Sequence, residues 1–138
     1  MAAIELPQGF VPAGFSPGFL DRGGPYWLKP DANGTIVGLR IEDGHLNYLA
    51  MAHGGVITTL ADVALSYCIH ASAEPSPMVA TATLTVNFLG AARLDDWLEA
   101  EAHIDRMGKR LCHTSGTIRR DGAPIATMSG VFSVLRRD

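Results

Sequence analysis

The spacing of hydrophobic and polar residues divides the chain into elements of different period. Over residues 56–69 apolar side chains occupy nearly every helical face, which predicts a helix enclosed by other structure. Four segments after it are predicted as strands, at residues 79–89, 97–107, 111–119 and 123–135. The second shows strict alternation, so one face of the sheet should be wet. Its apolar positions are Leu98, Ala100, Ala102 and Ile104, and its polar positions are Glu99, Glu101, His103 and Asp105.

Turn signals indicate how the strands are joined. The Asp-Gly pair in "RRDGAP" predicts a hairpin, and "MGKR" is short enough to connect neighbours, so these strands should form an antiparallel meander. Upstream, "PYWLKPDANGTIVGLRI" predicts two short strands with a turn at Asn33-Gly34 between them. We therefore expect an α+β fold in which a curved antiparallel sheet wraps around one long central helix.

Length and composition indicate one globular domain. The chain has 138 residues, of which 47% are hydrophobic and 18% charged, and it holds no apolar run long enough to span a bilayer. Residues 24–138 are expected to form the domain. Residues 1–23, rich in Gly, Pro and Phe, are too apolar for a linker and should pack on it. The net charge of −3 and the scattered Lys and Arg argue against nucleic acid as a partner, although a small anionic ligand fits.

Several kinds of site lack support in the sequence. Cys68 and Cys112 form no CxxC or zinc-type spacing, and a zinc site from His45, His53 and Asp62 has no HExxH or Cys/His cluster behind it. No metal is expected. Serine-hydrolase and dinucleotide motifs, GxSxG and GxGxxG, are also missing. The start "MAAIELPQGF" lacks the features of a signal peptide, so a cytoplasmic location is expected.

An aspartate interrupts the apolar helix. Asp62 lies on one narrow polar stripe, because steps of three and four residues bring its members to one face. The stripe consists of Thr58, Thr59, Asp62, Ser66 and His70. A carboxylate among apolar residues must find hydrogen bonds to replace its hydration. Asp62 therefore either shapes the core through a nearby hydroxyl or amide, or it serves a reaction, and both interpretations stay open.

The start of the same helix offers a second chemical feature. Gly54 and Gly55 expose backbone N–H groups that, with the helix dipole, could polarise a carbonyl, although a Gly-Gly pair also suits a tight turn. Gly54 and Asp62 are eight residues apart, or about 12 Å along a helix. If they serve one reaction centre, a second copy of the chain must supply one of them, which implies a two-fold dimer with shared sites.

The stretch "GHLNYLAMAHGGVITTLADVAL" resembles the H-x-N-x-x-G-x-x-H-G-G…L-x-D segment of hotdog-fold acyl-CoA thioesterases of the phenylacetate-pathway, or PaaI-like, type. The resemblance extends over roughly residues 24–135. It implies that Gly54 supplies an N–H to the thioester carbonyl, while His53 and Asn47 hold the thioester and its loop. Asp62 of the facing subunit would act as general base or nucleophile, and Thr81 would lie near the attacking water.

The resemblance also implies a substrate and an assembly. The expected reaction hydrolyses a small or medium-chain acyl-CoA, or an aryl acyl-CoA, and it needs no cofactor. Substrate contacts are expected from Gly55, Tyr48, Leu49, Met51, Lys109 and Arg110. A homodimer with shared active sites, paired into a homotetramer, is typical of the family. The extension at residues 1–23 would either seal a sheet edge, which we favour, or cover the acyl pocket.

One position departs from the family pattern. Ala50 stands where the N-x-x-G segment has Gly, so either Ala adopts a left-handed conformation at a cost of about 1 kcal/mol or more, or the loop shifts. Two other functions stay open beside hydrolysis. One is a non-catalytic acyl-CoA-binding module, which would not need Asp62 as a base. The other is an acyl-thioester dehydratase or hydratase, which would release an enoyl product or consume one.

Overall fold

The computed structural model describes residues 5–30 and 35–136, in which two helices and seven strands occur. The elements are β1 (Val11–Pro12), α1 (Phe19–Gly23), β2 (Tyr26–Lys29), β3 (Thr35–Arg40), α2 (Gly54–His70), β4 (Met78–Phe88), β5 (Trp97–Met107), β6 (Leu111–Arg120) and β7 (Ala123–Arg136). A 3₁₀ turn, Asp43–His45, precedes α2. The predicted turn at Asn33-Gly34 lies outside the described residues. No helix in the described ranges is long and apolar enough to cross a membrane.

The strands form one antiparallel sheet in the order β1-β2-β3-β5-β6-β7-β4. The predicted meander is confirmed for β5, β6 and β7, which pair consecutively. The strand after the helix does not join β5; it crosses over and pairs with β7 instead. Within the described residues β4 is therefore an edge strand, and β1 forms the opposite edge.

Helix α2 lies against the sheet and carries the core. It contacts β3, β4, β5, β6 and β7, as the sheet-around-helix prediction requires. Its fully buried positions are Leu60, Ala61, Ala64, Leu65 and Ile69. The predicted alternation in β5 is confirmed, since Leu98, Ala100 and Ala102 are fully buried. The helix begins at Gly54, two residues before its predicted start.

Strand β4 contains a bulge that the sequence pattern did not indicate. Val79 and Leu84 both pack against the core, although residues an odd number of positions apart lie on opposite faces of a regular strand. The register explains this, because Thr81 pairs with Phe132 while Thr83 pairs with Val131, and Ala82 is extra. The bulge thus puts Val79 and Thr81 on the same side of the sheet as Leu84, and Thr81 faces the helix.

The N-terminal extension is fastened at two points. Strand β1 pairs with β2, so it covers the sheet edge as the favoured interpretation expects. At the other end, Nε2 of His45 contacts the carbonyl oxygen of Gly23 at 2.7 Å. Nδ1 of the same ring accepts the Glu42 N–H at 2.9 Å, so the neutral ring carries its proton on Nε2 and donates it to Gly23. His45 thereby joins the extension to the loop before α2.

Candidate active site

The first two residues of α2 differ in how their N–H groups are satisfied. His53 is the N-cap, with φ −60° and ψ 141°, and its Nδ1 accepts the Gly55 N–H at 2.8 Å. A neutral His53 must therefore carry its proton on the exposed Nε2, which is a second donor at this end. The Gly54 N–H meets no hydrogen-bond acceptor within the described ranges. Because the helix dipole adds positive potential there, the Gly54 N–H can serve an incoming carbonyl oxygen.

Asn47 closes the loop before the helix on itself. Its Oδ1 accepts the N–H groups of Leu49 at 2.9 Å and Met51 at 3.2 Å, and its own N–H donates to the Met51 carbonyl at 2.7 Å. Ala50 lies between them with φ 58°, so the loop keeps the left-handed conformation although glycine is absent. This geometry costs an alanine about 1 kcal/mol or more. Tyr48, at the tip, is 94% exposed.

The helix stripe opens on a groove of about 990 Å³. All five of its residues line that groove, so they share one helix face, as predicted. The half-buried Asp62 accepts a hydrogen bond from the Thr81 hydroxyl on its Oδ1 at 2.6 Å. Thr81 reaches Asp62 because the β4 bulge turns it toward the helix. The carboxylate therefore has the hydroxyl partner that a purely structural role requires, yet it borders open space rather than the closed core.

Two clusters result, and one chain does not bring them together. Asp62 lies mid-helix with Thr81 of β4 beside it, whereas Asn47, His53 and Gly54 gather at the helix start, where Phe88 also lies. The separation of eight residues between Gly54 and Asp62 corresponds to about 12 Å of helix. A third predicted group, Lys109 and Arg110, lies exposed at the turn between β5 and β6 and does not line the groove.

The groove also has apolar walls whose residues were not predicted from the sequence, although covering of the acyl pocket was one of the two roles expected for the extension. Val63 and Tyr67 flank the polar stripe, Leu84 comes from β4, and Phe15 and Phe19 come from the N-terminal extension. The helix spacing could have indicated the first two, because they stand one position from Asp62 and Ser66. The contribution of the extension depends on a contact across more than forty residues, for which the local pattern carries no signal.

The described residues offer no metal site and few perturbed ionisable groups. No three His, Cys, Asp or Glu side chains in residues 5–30 and 35–136 cluster closely enough to hold an ion. Burial, followed by the nearby Cys112 and Asp105, raises the pKa of the Cys68 thiol to about 12. Burial also raises the pKa of the Tyr26 hydroxyl. Neither group lines the groove.

Comparison with known proteins identifies the family. The model of the thioesterase superfamily matches residues 49–126, a range that includes α2, Asp62 and Thr81. The chain belongs to the thioesterase superfamily. A Pseudomonas aeruginosa protein provisionally named an esterase is 38% identical over 130 residues, which cover 94% of this chain and 97% of that protein.

Solved structures confirm the hotdog fold of this thioesterase-superfamily chain. A hypothetical thioesterase from Streptococcus pneumoniae, solved with coenzyme A, superposes with a TM-score of 0.75 at 23% identity, covering 81% of this chain and 90% of its own. The E. coli PaaI protein from the phenylacetic acid degradation operon superposes with a TM-score of 0.69 at 22% identity, covering 74% and 72%. The fold that the resemblance implies is thus confirmed.

Proposed function

We propose that this thioesterase-superfamily chain hydrolyses a small or medium-chain acyl-CoA, or an aryl acyl-CoA, to the free acid and coenzyme A. The observation that carries the proposal is Asp62, a carboxylate that borders an open groove and is held by the Thr81 hydroxyl at 2.6 Å. A general base needs this combination of an oriented oxygen and access to substrate. The coenzyme A in the pneumococcal structure supports the choice of thioester.

The site is shared between two chains in this proposal. A carbonyl cannot reach both Gly54 and Asp62 across about 12 Å of one helix. Strand β4 offers the means of association, because its outer edge has no strand beside it in the described residues. An unpaired edge of eleven residues is a template for pairing with another strand. A two-fold axis across β4 would bring Asp62 of one subunit toward Gly54 of the other, and two such dimers would form the tetramer.

The proposed reaction has three steps. The thioester carbonyl oxygen accepts the Gly54 N–H, with the His53 Nε2–H as a second donor, so that negative charge developing on the oxygen is stabilised. Asp62 takes a proton from water as the water oxygen bonds to the carbonyl carbon. The C–S bond breaks, and the coenzyme A thiolate leaves and takes up the proton that Asp62 accepted from water, which returns Asp62 to its carboxylate form. Asp62 acting directly as nucleophile is the other route, with water then releasing the acid from the acyl-aspartyl intermediate.

The other site residues hold the substrate in this scheme. Asn47 keeps the loop closed, and Gly55 and the loop side chains Tyr48, Leu49 and Met51 border the thioester. The exposed Lys109 and Arg110 provide positive charge for the nucleotide end of coenzyme A. Residues 24–138 form the catalytic domain, and a cytoplasmic location stays a prediction from the sequence.

Release of free thiol from a panel of straight-chain and aromatic acyl-CoAs tests the proposal. The isosteric Asp62→Asn variant should lower kcat by about 10²–10⁴, the usual contribution of a general base. Asp105→Asn, at an exposed carboxylate beside His103 and outside the groove, is the matched control and should keep wild-type activity. Tight acyl-CoA binding without thiol release would favour the non-catalytic module, and an enoyl product would favour a dehydratase. Either result contradicts hydrolysis.

A further inference from the structure

The extension contributes a wall to the groove that holds Asp62. We call residues 13–20 the strap, because they run from the sheet edge toward α2. The strap residues that line the groove are Ala13, Gly14, Phe15, Ser16, Phe19 and Leu20. The groove wall opposite comes from α2 and β4. The extension thus does more than seal the sheet edge, the role favoured from sequence.

The strap is held at both ends and shaped by two glycines. At one end the Ala13 N–H donates to the Tyr26 carbonyl at 3.0 Å, and at the other the Gly18 N–H donates to Asp21 Oδ2 at 3.1 Å. Gly14 has φ 64° and Gly18 has φ 132°, conformations that other residues rarely adopt. These turns bracket Phe15, so the backbone fixes where that ring is presented.

Phe15 lies against the C-terminal half of α2 in the groove wall. Its ring centroid lies 5.6 Å from that of Tyr67, at a tilted angle. Tyr67 follows Asp62 by five residues, or about 7.5 Å along the helix axis. Gly54 lies on the other side of Asp62. An acyl group whose carbonyl is at Asp62 therefore meets the strap when it extends away from the helix N-terminus of its own subunit.

Phe19 presents apolar surface to solvent in this wall. Its side chain is 66% exposed while it lines the groove, and apolar neighbours such as Val63 and Leu84 share the space. Removing such surface from water is favourable in proportion to its area. The charged nucleotide end of coenzyme A does not suit these neighbours, whereas a hydrocarbon chain does.

The wall is only one residue layer thick. Phe15 and Leu20 also line a second cavity of about 260 Å³ on the far side of the strap, beside Pro25 and Tyr26. Shortening Phe15 would join the groove to this cavity. Phe15 is thus one of the residues that separate the groove from this additional space.

We propose that the strap is the far wall of the acyl pocket and limits the length of the acyl chain, with Phe15 and Phe19 as the residues that determine this specificity. The inference rests on the proposed acyl-CoA substrate. It assigns to the extension a role in selecting the acyl group, in addition to its pairing with the sheet.

Binding of non-hydrolysable acyl-CoA thioethers of short, medium and long straight chains tests the strap separately from hydrolysis. Isothermal titration would compare the wild type with Phe15→Ala, Phe19→Ala and the control Val11→Ala, an exposed β1 position that lines neither cavity. Both strap variants should raise the long-to-short affinity ratio by about tenfold or more, because space for added methylenes opens. Val11→Ala should leave the ratio unchanged.

Each outcome decides the proposal. Unchanged ratios in both strap variants, an equal shift in Val11→Ala, or no thioether binding by the wild type would overturn it. If Phe15→Ala does not fold, as circular dichroism would show, the exposed Phe19→Ala alone decides. If the wild type releases thiol but the strap variants leave the long-to-short affinity ratio unchanged, the role of the strap is refuted and hydrolysis is not. A shifted ratio without thiol release refutes hydrolysis and leaves the strap as the wall of a binding pocket.

Discussion

Replacing Gly54 by proline should remove the carbonyl-polarising donor with little disturbance of the fold. Gly54 is the first residue of α2, the helical position that proline tolerates best because its N–H has no intrahelical acceptor. The preceding His53 has ψ 141°, the extended conformation that a residue before proline prefers. A Cβ at Gly54 would lie 3.8 Å from the Phe88 ring, which is ordinary van der Waals contact. The substitution therefore subtracts mainly one hydrogen-bond donor.

The loss of that donor sets the expected magnitude. Removal of one oxyanion-hole donor costs about 10²–10³ in kcat, equivalent to roughly 3–4 kcal/mol of transition-state stabilisation. Gly54→Ala keeps the N–H and should stay near the wild-type rate. Steady-state thiol release from the best acyl-CoA would measure kcat, and thermal unfolding would verify the fold. Equal rates for Gly54→Pro and the wild type, or equal losses in the proline and alanine variants, would refute the role of the N–H.

Three further changes test other parts of the site and core. Thr81→Val removes the hydroxyl that holds Asp62 and should lower kcat about tenfold or more, whereas Thr81→Ser keeps the hydroxyl and should keep the wild-type kcat. Equal kcat values for Thr81→Val and the wild type would contradict a positioning role. Ala50→Gly relieves the left-handed strain and should raise the free energy of unfolding in urea by about 0.5–1 kcal/mol, after the entropy cost of glycine; a decrease would contradict the strain. Because the pKa of Cys68 is raised in the folded state, its contribution to the free energy of unfolding should be fully present below pH 9 and be lost as the pH rises toward 12. Cys68→Ala should therefore lose less stability than the wild type over this range. Identical pH profiles of the two proteins would contradict the pKa shift.

The helix and its polar stripe were predictable because their signal is local. Residues three and four positions apart share a helix face whatever the rest of the fold does, so the five stripe residues could be assigned to one surface. Alternation in β5 carried the same kind of local information. For the loop at Ala50 the sequence predicted either a left-handed alanine or a shifted loop. The φ of 58° shows that Ala50 takes the left-handed conformation.

Other features depend on contacts distant in sequence. The bulge at Ala82 appears only when β4 is registered against β7, and without it Thr81 would face away from Asp62. The crossing of β4 to the sheet edge follows from pairing partners that lie 38 to 58 residues away. Phe15 contacts Tyr67 across a similarly long separation in sequence. Local patterns could therefore give covering of the groove only as one of two possible roles for the extension.

Mixing two inactive variants tests the shared site most directly. Asp62→Ala and Gly54→Pro chains, differently tagged and co-expressed in equal amounts, should form dimers of which about half are mixed, and by symmetry each mixed dimer regains one intact site of its two. Thiol release should therefore recover to roughly a quarter of the wild-type rate. Co-expression of Asp62→Ala with Asp62→Asn, the matched control, should recover nothing. If the first mixture also stays inactive although mixed dimers are isolated, Gly54 and Asp62 do not act across a subunit interface.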